Sequence, residues 1–157
     1  MGRLMRIAAA AALVMVAATP AWSQTLDKKV LSLEAAKKIA VAAEAAAREK
    51  GIGVVIAIVD DGGHLILLHR LDDTQVASVN VGIGKARTAA IYRRPSKDFE
   101  DQIRAGRVAA LALADSTPLQ GGVPIRLDGK VIGAVGVSGD TPLVDEAIAI
   151  AGANAFK

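Results

Sequence analysis

The sequence predicts an α+β domain, an antiparallel sheet with helices on its faces. Three observations carry the prediction. The apolar runs "VVIAIVD" and "HLILLHR" are separated by "DDGG" turn chemistry and read as a β-hairpin. The stretch "IRLDGKVIGAVGVSG" reads as a second pair of strands, joined by an Asp128-Gly129 turn. Around and between these pairs lie Ala-rich segments with helix-terminal signals, giving the order α-ββ-α-α-(β)-ββ-α.

After a polar entry, Ser32 can cap the helix "LEAAKKIAVAAEAAAREK". Glu34 lies near its start, Arg48 and Lys50 near its end, and Gly51 stops it, as the helix dipole and a C-terminal cap favour. "VVIAIVD" is β-branched without polar interruption, the pattern of a strand buried on both faces. Asp72, Asp73 or Thr74 can cap the next helix, "QVASVNVGIGKARTAAIYR". Gly82 and Gly84 at its middle cost about 1 kcal/mol each relative to Ala. They point to a close crossing by another backbone or a flat ligand. Pro95 ends that segment, and Ser96 starts the short amphipathic helix "KDFEDQIRAG". "VAALALAD" fits a strand or a helix equally, and "STPLQGGVP" is a loop. Thr141 caps the last helix, with Pro142 at its first position.

The chain has 157 residues. The first 23 have the order of a secretory signal peptide: Arg3 and Arg6, an apolar core from Ile7 to Ala18, then Ala21-Trp22-Ser23. Cleavage before Gln24 and export to a periplasm or beyond are the expectation, leaving residues 24–157 as one domain without a membrane span. Of the 19 basic residues two leave with that segment, so 17 face 16 acidic ones, a net +1 in place of +3. With no basic run of five, nucleic-acid binding is excluded as a reading. The chain has no cysteine, which rules out disulfides and thiolate metal sites. Flat Ala/Val faces suggest contact between subunits of a homo-oligomer.

His64 and His69 are the only histidines. Residues five apart in a strand point to opposite faces and stand about 16 Å apart, so the two cannot chelate one metal within a chain. Each is a candidate ligand from its own face, with His64, at the accessible turn edge, the favoured one and His69 better placed to pack among leucines; each also fits a structural role. Arg70 fits an ion pair with Asp72 or the lining of a site. Lys85 and Arg87, in "GIGKAR", lack phosphate-loop spacing and fit either a solvated face or a carboxylate-bearing ligand. Ser138 in "GVSGD" departs from a nucleophile elbow, because glycine comes one place early and Asp140 stands where glycine is needed. Asp60 and Asp61 read as turn chemistry rather than a catalytic carboxylate pair.

Four separated motifs carry a family resemblance: "VVIAIVDDGGHLILLHRLDD", "SVNVGIGKARTAA", "GGVPIRLDGKVIGAVGVSGD" and "DEAIAIAGA". Together they resemble the GlcG/HbpS-type heme-binding family, which includes the C-terminal domain of PduO proteins, over roughly Leu31 to Phe156. The resemblance implies a profilin-like α/β/α sandwich on a five-stranded antiparallel sheet, assembly into oligomers, and heme binding. In exported members it implies heme degradation with iron release, or heme-linked signalling. Arg70, Leu71 and Asp72 match one motif; Lys85, Ala86, Thr88 and Ala89 match a second. Gly121, Gly122 and Pro124 match a third, and Gly136 to Gly139 a fourth. Asp73-Thr74 replaces the usual small pair and makes this edge more acidic. Some members ligate heme through a histidine of the first helix; Ser32 to Lys50 contains none, so that ligand does not carry over.

The sequence-level candidates for holding heme are therefore His64 and His69 as iron ligands, Arg70, Lys85 and Arg87 for the propionates, and Thr88 as a weaker ligand. Degradation would be chemistry of the heme iron with an oxidant and needs no protein nucleophile. The rival reading is a non-catalytic binding module for a corrinoid, a flavin or a small organic acid.

Overall fold

The uninterrupted apolar run Val54–Val59 is fully buried because both of its faces are covered. A computed structural model describes residues 24–156; the expected signal segment lies outside them. The strands are β1 (Val55–Asp60), β2 (Leu65–Arg70), β3 (Gly122–Leu127) and β4 (Lys130–Ser138), all antiparallel, in the order β2-β1-β4-β3. The helices are α1 (Leu33–Glu49), α2 (Ser78–Ile91), α3 (Lys97–Arg104) and α4 (Pro142–Asn154).

Alternation along β1 builds two cores. Ile56 and Ile58 pack with Ile39, Ala40 and Ala43 of α1 and Ile148 and Ala149 of α4. Ala57 and Val59 point the other way, onto Ala86, Ala89 and Ala90 of α2. The result is three layers, α1 and α4 on one face and α2 on the other. Small side chains bring α2 close to the sheet. A Cβ on Gly136 would stand 2.1 Å from the Gly82 carbonyl oxygen, and one on Gly82 would be 3.0 Å from Val55. The close crossing expected of Gly82 is therefore present, whereas Gly84 makes room for the Thr117 side chain and no backbone crosses there. On the α2 side, Phe99 of α3 meets Tyr92 edge-on at 5.1 Å, with the Arg94 guanidinium 4.2 Å from its ring centre.

Local signals largely form as read. Ser32 Oγ accepts the Ala35 N–H at 3.2 Å, and Gly51 adopts φ 66° after α1. Asp128 and Gly129 both have positive φ, the geometry that lets a two-residue turn follow the strand twist.

Several expectations need correction. The described residues form four strands, where five were expected. "VAALALAD", open between strand and helix in sequence, forms a short 3-10 helix, Val108–Ala112. Pro124 occupies β3 at the sheet edge, where its missing N–H leaves the outer side a poor template for a further strand. None of Asp72, Asp73 and Thr74 caps α2, which begins later at Ser78. Asp73 instead takes φ 60°, and Thr74 Oγ1 donates to the Leu71 carbonyl, closing a turn. Ser96 precedes α3, but its hydroxyl donates to the Leu119 carbonyl and accepts the Gly122 N–H, tying the "GGVP" segment to the helix start. Among the described residues no helix is long and apolar enough to cross a membrane.

Candidate functional site

The six residues singled out from sequence fall in three places. Lys85 and Thr88 lie inside. The Lys85 ammonium, 5% exposed, bonds Asp145 Oδ2 at 2.8 Å and the Val137 carbonyl at 3.0 Å. This corrects the solvated-face reading, and it commits the charge to the seam between α2, β4 and α4. Burial pushes the Asp145 carboxyl up, partly offset by Lys85 and by the Asp140 N–H. Thr88 is fully buried; its hydroxyl donates to the Gly84 carbonyl and accepts the Thr117 N–H. Ser138 is also in this seam, 3.3 Å from Ser78 Oγ, far from the exposure a nucleophile needs.

His64 and Arg87 meet at the β1–β2 turn. The His64 N–H donates to Asp60 Oδ1 at 2.8 Å, and its ring folds over Gly62. Arg87 Nε donates to the Gly63 carbonyl at 3.3 Å, and Gly63 has φ 81° with no room for a Cβ beside Arg87 Cγ. Asp61 beside them pairs with Lys28 at 2.8 Å.

His69 and Arg70 stand at the other end of β2, an edge strand whose residues are half-buried or exposed throughout. The His69 side chain is 31% exposed, and Nδ1 lies 2.9 Å from Glu44 Oε2 of α1. Glu44 Oε1 takes Arg48, one helical turn on, at 2.6 Å. Hydrogen bonds from Arg48 and then His69 hold the Glu44 carboxyl below the usual carboxylate range. An ionised carboxylate only accepts, so Nδ1 carries a proton, and in the neutral ring Nε2 is the nitrogen with the lone pair. Arg70 donates to the Thr74 carbonyl at 3.0 Å instead of pairing with Asp72. Arg70, Leu71, Asp72 and Asp73 line an open depression of about 540 Å³.

The two histidines thus stay apart, and no cluster of three His, Cys, Asp or Glu residues able to hold a bare metal ion occurs among the described residues. Sequence reasoning missed Glu44 and Asp145. The i,i+4 spacing of Glu44 and Arg48 was visible, but its link to His69 spans 25 positions.

The family model described as "Haem degrading protein HbpS-like" matches residues 31–154. Protein GlcG of Escherichia coli (strain K12) is 43% identical over 111 residues, 71% of this chain and 83% of that protein. The crystal structure of HbpS superposes with a TM-score of 0.79 at 29% identity, covering 85% of this chain and 95% of HbpS. The crystal structure of a PduOC:heme complex superposes with a TM-score of 0.74 at 25% identity, covering 81% and 95% of the two chains.

Proposed function

The chain belongs to the HbpS-like family, and from that premise we propose that it binds heme at the outer end of β2 with His69 as the iron ligand. The observation that carries this reading is the His69 ring, part-exposed on an edge strand with Nδ1 occupied and Nε2 free. The residues present fit heme in donor chemistry, since a neutral imidazole nitrogen is a good axial ligand. Leu65 adds exposed apolar area on the same strand, though on its opposite face like Arg70, which would meet a propionate around the sheet edge. Bound iron would supply the redox chemistry; the chain's own part is to ligate, orient and anchor. His64 with Arg87 at the hairpin tip is the competing site, and Lys85 and Thr88 serve the scaffold.

Around that binding we propose an exported homo-oligomer that degrades heme slowly with release of iron or signals its presence. Its support is the family and the order of residues 1–23. Secreted protein should begin at Gln24 and sediment as more than a monomer.

Hemin titration tests the central reading. Wild type should give a saturable, shifted absorption band that His69→Ala abolishes and His64→Ala leaves intact. A band unchanged in the double histidine variant would rule out histidine ligation. Incubating the complex with a peroxide and assaying free iron then separates degradation from storage or sensing. The open depression beside Arg70 favours one second reading, a small organic acid or other non-heme ligand held without catalysis. Corrinoid and flavin belong to the same class. Unsaturable hemin binding, with saturable binding of one of these, would select it.

A further inference from the structure

We propose that Glu44 is the positioning residue for His69, fixing which ring nitrogen faces a ligand and strengthening that nitrogen as a donor. The inference rests on the heme reading for its use, but its geometry is the chain's own. The two Glu44 oxygens are divided between two partners. Oε1 takes Arg48 through Nε at 2.9 Å and Nη2 at 2.6 Å, and Oε2 takes His69 Nδ1 at 2.9 Å.

Each contact has a separate effect. Arg48 lies one turn along the same helix, so the pair forms within α1 and orients the carboxylate before β2 is considered. With Oε1 taken up by Arg48, Oε2 is left as an acceptor facing the ring. The bond to His69 then crosses from helix to strand and sets both tautomer and ring rotation. A histidine whose second nitrogen donates to a carboxylate is a more basic metal ligand, and losing such a partner typically costs about 10–100-fold in metal affinity. His64 has a different arrangement, since its bond to Asp60 runs through the backbone N–H and does not fix its ring. The first helix thus contributes to the site without a histidine of its own.

The test has one arm without heme and one with it. Long-range proton–nitrogen NMR at a pH where both rings are neutral reads the tautomer of each histidine, with His64→Ala assigning the two. Wild-type His69 should be predominantly the Nδ1–H form, and Glu44→Ala should shift it toward Nε2–H. In the second arm, Glu44→Ala and Glu44→Gln should bind hemin about 10–100-fold more weakly than wild type and raise the midpoint potential of the bound iron. His64→Ala should do neither. Glu44→Gln preserves the side chain's size, so a shared effect in folded variants separates positioning from loss of structure. If wild type takes no hemin but the tautomer depends on Glu44, the heme reading fails and the positioning stands. If His69 ligates hemin and neither Glu44 variant changes tautomer, affinity or potential, the positioning role is overturned. An Nε2–H tautomer in wild-type His69 overturns it as well.

Discussion

Lys85 and Asp145 place opposite charges in the seam, 5% and 3% exposed, 60 residues apart in sequence. Removing one partner strands the other, which typically costs about 3–5 kcal/mol, whereas replacing both with apolar groups of similar size is often neutral. Lys85→Met should therefore lower the urea midpoint sharply, and Lys85→Met with Asp145→Leu should recover most of it. The burial of Lys85 was legible in principle, because Gly82, Lys85, Ala86 and Ala89 lie on one helical stripe. Its partner was not, since no local period links α2 to α4. The two carboxyls respond to pH with opposite sign. Asp145 is held above the usual value of 3.8, so folding favours its protonated form, and that contribution is lost as pH rises through the raised value. Glu44 is held below 4.5, so its contribution is present above 4.5 and is lost as pH falls through the lowered value. The difference in urea midpoint between wild type and Glu44→Gln should be present at pH 7 and close as the solution is acidified past that range.

Helix α2 sits on the sheet through missing side chains. A Cβ on Gly136 would lie 2.1 Å from the Gly82 oxygen and 2.5 Å from the Ala86 nitrogen, both backbone atoms that cannot swing aside. Gly136→Ala should therefore force α2 off β4 and destabilise by about 1–3 kcal/mol or more, measured by thermal unfolding. Gly129→Ala meets nothing within 4 Å and carries only the strain of its φ of 76°. Elements whose code is local were readable: the cap at Ser32, the turn at Asp128-Gly129, the buried run of β1. The start of α2 was not, because three capping residues in a row, Asp72 to Thr74, close a turn after β2 before the helix begins. The segment Val108–Ala112 was ambiguous in sequence because its apolar run is too short to set a period.

The two cores are separate, one under α1 and α4 and one under α2, yet both draw on β1 and β4. Neither can open without disturbing a shared strand, so unfolding should be a single cooperative event. Tyr92, beside Phe99 on the α2 side, is the only tyrosine. Its fluorescence and the far-UV circular dichroism of the whole chain should give coincident urea transitions, and separated midpoints would show the layers melting independently. At this scale the sequence was most informative about architecture, through motifs that converge in the fold: Lys85, Gly121, Gly122, Gly136 and Ser138 all line the seam or the segments packed against it. Five of the positions that announce the family are thus fittings of the scaffold. The candidate ligand residues lie elsewhere, on an edge strand that the seam does not constrain. On the proposed reading, substitutions along that margin should change what is held there while every motif that marks the family stays in place.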